Sequence, residues 1–442
     1  MSKMQKYLVG IAAICVLFFG FVIVRIGIAQ PNDESVKLAK ISHENYAHLG
    51  KAAYKDAYPL EYNSYMKNNL GGESPTGYGG SDPGKSYIEM QPEILENFKG
   101  YKFSVQYDVA RGHTWAGVDQ INSQRIPPQK GNCIVCKSSW MYDKWYKESG
   151  WDFASKPFMD ATPPFTDKDT VEGTDLYFGC SSCHDPDTME LRIYQQGFVE
   201  SMAMKGIDIS KASHNEMRSY VCGQCHNEYY FMAEDGRVRH PFIAGWEPEE
   251  QFKFYQTQSE QLGAFKQDWV HPDSKTPMLK AQHPDFEIWK TSVHADAGVT
   301  CVDCHMPYMR ENGQKYTSHW MTSPLKTVEA SCLKCHDESK ETLIARVKTI
   351  HDNNFKLQRI AGQTVAKAHL AVKAAMEAGA TDEQLAPVRL KLREAQWYWD
   401  WVAAENGNGF HNPDKCMRIS GESIDLAHQV IEEANALIKG SL

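Results

Sequence analysis

The first pattern along the chain is an apolar run at the N-terminus. Residues 7–24 carry no charge and follow a basic start that contains Lys3 and Lys6. This run is just long enough to span a membrane, and the small residues at 27 and 29 are typical of a signal cleavage site. We therefore predict that residues 1–30 are a signal peptide or, alternatively, a retained membrane anchor. Either places the body of the protein in the periplasm or on the outer face of the cytoplasmic membrane.

The second pattern is irregular. Residues 68–86 are rich in glycine, proline and serine, which predicts a loop. From about 87 to 336, short apolar segments alternate with glycine and proline, so no long regular element is expected there. We therefore predict one region, 31–336, that is partly helical at its start and is built from short elements.

The third pattern is strongly helical. Residues 341–378 contain no proline, one glycine and apolar positions at spacings of three, four or seven, with Asn354 as a polar interruption. This pattern predicts one helix of about 38 residues, about 60 Å long. Its apolar stripe consists of Leu343, Val347, Ile350, Leu357, Ala361, Val365, Ala368 and Val372.

Two further helices are predicted after this one. Thr381 and Gln384 resemble a capping box, and a last amphipathic helix is predicted over 423–438. The fold class is therefore mainly α, with residues 337–442 forming a long-helix region continuous with the region before it. Because a small domain alone cannot bury so long a stripe, we expect a homodimer. Packing within one chain is the alternative.

The cysteines carry the clearest chemistry. Of the 12, Cys15 lies in the leader and Cys416 stands alone, while ten form five C-x-x-C pairs. Four pairs continue with histidine, as in c-type haem attachment, where two thiols hold the porphyrin and the histidine ligates the iron. Disulfides would explain the paired cysteines but not the histidines that follow them. Zinc ribbons have two C-x-x-C pairs about 15–20 residues apart, and the pairs in this chain are further apart than that. The four motifs are Cys180, Cys183 and His184; Cys222, Cys225 and His226; Cys301, Cys304 and His305; and Cys332, Cys335 and His336.

The fifth pair differs because Lys137 follows Cys133 and Cys136. An amine binds iron only as the neutral base, so burial and the metal must displace its proton. A distinct axial ligand indicates a distinct task, and we predict a catalytic haem whose opposite face is open to substrate. The alternative is that Lys137 is a solvated neighbour of a haem that takes a histidine from elsewhere. Thirteen of the 17 histidines lie outside the motifs, and spacing does not select the further ligands among them.

One CxxCK motif followed by four CxxCH motifs resembles the pentahaem cytochrome c nitrite reductases of the ammonia-forming type. The resemblance covers about residues 85–440 and includes RGHTWA, CGQCHNEYYF, KTPMLKAQHPDFEIW, CVDCHMP and AQWYWDW. It implies five covalent haem c groups and the dissimilatory six-electron reduction of nitrite to ammonium. The negative charge of −9 argues against a nucleic-acid partner.

The resemblance also implies residue roles. Arg125, Tyr229 and His283 are the implied catalytic residues, opposite Lys137 as the proximal ligand. A calcium ion is implied beside them, held by the side chains of Glu228 and Gln282 and the backbone carbonyls of Tyr229 and Lys280, oxygen donors that suit this ion. The implied second ligands are His113 for the haem of Cys222, His294 for that of Cys332, His319 for that of Cys180 and His411 for that of Cys301.

These residue types fit the reaction. Arg125 and His283 can hold a small anion and shuttle protons, and Tyr229 can donate a hydrogen bond. The implied electron donor is a membrane-bound, quinol-oxidising multihaem cytochrome. One alternative function is an electron conduit without a substrate of its own, which would carry five bis-histidine haems. Another is a related reductase of hydroxylamine or sulfite.

Overall fold

A computed structural model of the chain describes residues 50–81, 86–104, 106–258 and 266–440. The predicted leader, residues 1–30, lies outside the described residues. Within the described ranges, no helix combines the length and apolar character needed to cross a membrane.

The α-helices are short before residue 340 and long after it, which confirms the mainly α fold. They are α1 (Pro59–Met66), α2 (Tyr87–Met90), α3 (Ile94–Asn97), α4 (Ala116–Asn122), α5 (Lys147–Ser149), α6 (Phe158–Ala161), α7 (Gln196–Met204), α8 (His214–Gly223), α9 (Pro248–Thr257), α10 (Asp285–Lys290), α11 (Val293–Asp296), α12 (Cys301–His305), α13 (Lys340–Glu377), α14 (Asp382–Ala403) and α15 (Pro413–Gly440).

The strands form small antiparallel ribbons of two strands each. The longest ribbon pairs Tyr308 with Thr317 and Glu311 with Gln314. Such ribbons cannot build a sheet core, so the core lies among the helices. The strands are β1 (Gly72–Glu73), β2 (Gly80–Ser81), β3 (Tyr230–Phe231), β4 (Val238–Arg239), β5 (Trp269–Val270), β6 (Pro277–Met278), β7 (Tyr308–Glu311) and β8 (Gln314–Thr317).

The long helix α13 agrees with its prediction to within one residue at each end. Its predicted stripe faces inwards, since Leu343, Val347, Ala361, Val365, Ala368 and Val372 are buried. The capping box of α14 is also present, with the Thr381 side chain accepting from the backbone N–H of Gln384. Local sequence thus determines these helices and their ends.

The stripe of α13 packs within its own chain, from Ala361 onwards against α14 and α15, and at its start against Leu325 and Val328. Gly362 permits this close approach, because a Cβ there would lie 2.6 Å from Nε1 of Trp399. The same core includes Phe98 and Trp269, so it joins the C-terminal helices to the earlier region. Much of the stripe is therefore buried within one chain, as the alternative expects, and the homodimer stays a prediction.

The last helix begins earlier than predicted, at Pro413 instead of residue 423. Proline suits a first helical position, and the Asn412 side chain accepts from the backbone N–H of Lys415. Cys416 and Ile419, both fully buried, extend the apolar face over the added turns. The prediction missed them because it started from the periodic segment and not from the capping residues.

Candidate active site

Four of the five C-x-x-C pairs lie on short helices, and the pair of Cys222 starts in the last turn of the ten-residue helix α8. Cys133 belongs to the 3-10 helix Gly131–Ile134, and Cys180 opens another, Cys180–Ser182. The backbone N–H of His184 donates to the carbonyl of Cys180 at 2.9 Å, which turns the histidine back over its own thiols. None of the described cysteines forms a disulfide. Each motif therefore presents two thiols and a potential metal ligand within one turn.

Each histidine of the four CxxCH motifs faces a histidine from elsewhere in the chain. Two imidazole nitrogens bound to one metal at about 2 Å each place their ring centres about 6 Å apart. The observed separations have this value, so the residues present fit a bis-histidine haem between each pair. They are His113 to His226 at 6.1 Å, His184 to His319 at 6.1 Å, His294 to His336 at 6.3 Å and His305 to His411 at 6.3 Å.

The motifs also follow one another in space. The thiol of Cys136 interacts with that of Cys225, and the thiol of Cys301 with that of Cys222. Cys304 in turn lies within electrostatic range of Cys332. Three of the CxxCH motifs therefore form a row that starts at the CxxCK motif.

The side chains of the predicted catalytic pocket gather around that first motif. Tyr229 packs in one apolar cluster with Cys133 and Cys136. Burial, followed by the charges of Cys136, Cys133 and Glu228, raises the pKa of Tyr229 well above its usual value, so the phenol keeps its proton. Arg125 acts in the opposite direction on the same phenol, which places its guanidinium within electrostatic range.

His283 and Arg125 complete this group. The His283 ring borders open space but lies deep among protein atoms, and this burial, followed by the charge of Lys137, lowers its pKa to about 3. The guanidinium carbon of Arg125 lies 5.4 Å from the centre of the Tyr107 ring. Its Nε is buried without a hydrogen-bond partner among the described residues. The group thus combines a cation, a neutral imidazole and a protonated phenol.

The residues predicted to hold calcium also meet. The backbone N–H of Gln282 donates to one oxygen of Glu228 at 2.5 Å, and its side-chain amide lies 3.1 Å from the carbonyl of Lys280. Glu228 is fully buried, and its other oxygen has no partner among the described residues. Burial raises the pKa of this carboxyl well above its usual value. A buried acid with an unpaired oxygen beside amide and carbonyl oxygens fits a hard cation.

Two buried carboxylates that sequence reasoning missed touch the predicted haem ligands. Nδ1 of His226 hydrogen-bonds to Asp285 at 3.1 Å. Nδ1 of His411 lies 2.5 Å from Glu405 and 3.8 Å from Asp285. Asp285 lies only two residues after His283, but its contact with the segment around Asn406 crosses more than a hundred residues, which local sequence does not reveal.

The comparisons with known proteins identify the family of this chain. Residues 50–439 match the cytochrome c552 family. The cytochrome c nitrite reductase subunit NrfA of Nitratidesulfovibrio vulgaris is 37% identical over 87% of this chain and 78% of its own. Cytochrome c-552 of Porphyromonas gingivalis is 34% identical over 87% of this chain and 76% of its own.

A solved structure gives the same assignment. It is the catalytic subunit NrfA of cytochrome c nitrite reductase from Desulfovibrio desulfuricans, described with two calcium sites. Its TM-score is 0.81 at 34% identity, over 89% of this chain and 88% of that chain. The chain belongs to the cytochrome c552 family.

Proposed function

We propose that this protein is an ammonia-forming cytochrome c nitrite reductase. The observation that carries the proposal is the CxxCK motif with Arg125, Tyr229 and His283 gathered around it. Relatives named as nitrite reductases support it over an electron conduit without a substrate. Electrons would reach this centre through the row of CxxCH motifs, in which each motif histidine faces a second histidine.

The haem bound at Cys133, Cys136 and Lys137 would supply electrons and a binding position for nitrite. The Arg125 guanidinium offers several donors to a small anion, and its positive charge attracts nitrite. His283 is neutral, so its N–H can donate a hydrogen bond to the bound anion, and its ring can relay a proton towards an oxygen that leaves as water. Tyr229 keeps its phenolic proton and can donate a hydrogen bond to the bound anion.

The test of this function is anaerobic turnover of nitrite with a reduced viologen dye, with ammonium quantified against nitrite consumed. We expect one ammonium for each nitrite. Consumption of nitrite without ammonium would overturn the ammonia-forming assignment, and no consumption would favour the conduit. Parallel assays with hydroxylamine and sulfite separate the related reductases.

We predict five covalent haems in each chain. The reason is that each of the five C-x-x-C pairs lies on a helical turn beside a potential iron ligand, and none of these cysteines forms a disulfide. Intact mass of the holoprotein should exceed the polypeptide mass by five haems. A surplus of four, with the CxxCK site empty in peptide mapping, would remove the proposed catalytic centre.

We propose that calcium occupies the site at Glu228, Tyr229, Lys280 and Gln282. Glu228→Gln preserves shape but removes the buried charge, so we expect calcium affinity to fall at least about tenfold. Metal analysis after dialysis against graded calcium concentrations checks this. Glu432→Gln, at an exposed position on α15, is the matched control and should leave the calcium content unchanged. Equal calcium content in wild type and the Glu228 variant would contradict the assignment.

We also propose export from the cytoplasm and electron supply by a membrane-bound, quinol-oxidising multihaem cytochrome. The apolar run at 7–24 supports export. Several exposed positions around His336 support electron supply from outside, because a donor protein could approach that end of the relay.

A homodimer is proposed through the outer face of α13, where Ile360 and Leu370 are 41% and 49% exposed. Changing both to glutamate should give monomers in sedimentation velocity while leaving the thermal unfolding of the protomer unchanged. Ala361→Glu is the contrasting variant, because Ala361 is buried inside the protomer and overpacking there costs about 1–3 kcal/mol of stability. A wild-type protein that is monomeric at micromolar concentration would contradict the dimer.

A further inference from the structure

We propose that Asp285 and Glu405 are positioning residues that lower the reduction potentials of two neighbouring relay haems. These are the haems of Cys222 and Cys301, and the inference rests on the haem positions of the proposed function. Neither carboxylate would touch a haem iron; each would act through an axial histidine.

The contacts are specific to two of the four histidine pairs. Nδ1 of His226 hydrogen-bonds to Asp285 at 3.1 Å, and Nδ1 of His411 forms an ion-pair contact with Glu405 at 2.5 Å. Asp285 also stands 3.8 Å from Nδ1 of His411, so one carboxylate faces ligands of both haems.

Four of the other histidines of the pairs have neutral or distant partners, and Nδ1 of His113 has no hydrogen-bond partner among the described residues. Nδ1 of His184, His305 and His319 lies 2.8 to 2.9 Å from backbone carbonyls. His336 has a carboxylate nearby, Glu338, but the distance is 3.7 Å and both side chains are about half exposed. Solvent screens a charge in that position. A buried anion therefore distinguishes the haems of Cys222 and Cys301 from the other two.

Both carboxylates accept hydrogen bonds from N–H groups around them. Asp285 accepts from the backbone N–H of Asn406 at 2.7 Å and from its side-chain amide at 2.6 Å. Glu405 accepts from the backbone N–H groups of Gly407 and Gly409, each at 2.8 Å. Hydrogen bonds donated to a carboxylate favour its charged form. Both side chains are buried, so their charges are weakly screened.

The effect on reduction follows from charge. Reduction from Fe(III) to Fe(II) adds one electron and removes one positive charge from the iron, with no bond made or broken. A buried anion beside the axial imidazole stabilises the more positive state, and it also makes the imidazole a stronger donor. Both effects favour Fe(III), so the potential falls.

The position of these two haems explains how a low reduction potential would help electron transfer. The Cys222 motif adjoins the CxxCK motif through Cys225 and Cys136, and the Cys301 motif comes next in the row. Electrons on low-potential relays pass readily to an iron of higher potential. Asp285 and Glu405 would therefore keep electrons from accumulating on these two haems on their way to the catalytic centre.

The test is spectroelectrochemical titration of the holoprotein, with low-spin haem signals assigned by electron paramagnetic resonance. Asp285→Asn should move the reduction equilibrium of two haems at least about tenfold towards Fe(II), which is about 59 mV for one electron. Glu405→Gln should move only one. Glu338→Gln is the matched control and should move none.

Titration curves of Asp285→Asn and Glu405→Gln that coincide with wild type would overturn the proposal. Loss of low-spin signals in both variants would also overturn it, since the carboxylates would then only hold the ligands in place. If only Asp285→Asn loses low-spin haem signals, the outcome depends on Glu405→Gln. A shifted reduction equilibrium at one haem in that variant supports the proposal, and an unshifted one overturns it. Failure of the proposed function is recognised separately, because it is measured by nitrite turnover in wild type and the potentials are measured without nitrite.

Discussion

Nitrite reduction should fall by about 10²–10³-fold in Arg125→Ala, the loss that follows removal of one donor from a site of developing negative charge. The guanidinium of Arg125 is oriented beside the Tyr107 ring, and its buried Nε has no partner among the described residues. This leaves hydrogen-bonding capacity for an anion. Steady-state turnover, on protein with a verified haem count, measures the effect.

His283→Ala should lose about 10²–10⁴-fold, the range for a positioned proton-transfer group. Its lowered pKa keeps the imidazole neutral near pH 7, with one N–H that can donate a hydrogen bond to the anion and one bare nitrogen through which a proton can be relayed. Both variants should retain the spectra of all haems, because neither side chain belongs to a histidine pair of the relay. Arg310→Ala, on the exposed strand β7, is the control for loss of an arginine. Unchanged turnover in either pocket variant would return that residue to a structural role.

The predictable parts of the fold were those that local sequence determines. The ends of α13 follow from periodicity and capping, which act over a few residues, and the structure has them within one residue. The start of α15 was missed although Asn412 and Pro413 signal it, because a periodic apolar face alone does not mark a first turn. The partner of the α13 stripe also lay beyond local pattern, since α14 and α15 cover it only in the folded chain.

The candidate site divides in the same way. Cysteine spacing identifies the haem motifs without a structure, because the attachment chemistry requires a single turn. Spacing does not identify the second histidine of each haem, which the family resemblance supplied. In the structure, the ring centres of each proposed pair lie at about the distance expected for two imidazoles bound to one iron. Asp285 and Glu405 had no sequence signal, since acidic residues are common. Asp285 meets His226 and Asn406 only in the folded chain, and Glu405 meets His411 through an irregular turn that apolar periodicity does not predict.

The local structure around Lys137 allows the lysine to be replaced by histidine. Its backbone N–H donates to the carbonyl of Ile134 at 2.9 Å, and the side chain is half-buried. In the CxxCH motifs the equivalent N–H donates to a carbonyl one residue further back, as that of His184 does to Cys180 at 2.9 Å. Both hydrogen bonds close helical turns, so a histidine at 137 requires only a local shift of this bond and alters the ligand more than the fold.

Lys137→His, with the haem still attached, should leave the haem count and the oligomeric state as in wild type. Nitrite reduction should nevertheless fall more than about tenfold, which corresponds to about 1.4 kcal/mol of lost transition-state stabilisation. The physical reason is that an imidazole differs from an amine as a donor to iron, and axial ligand identity sets both the potential and the affinity of the opposite face. The deciding measurement is steady-state nitrite turnover on protein whose mass shows every haem in place. If the histidine variant reduces nitrite as fast as wild type, the lysine is an inherited feature with no part in the mechanism.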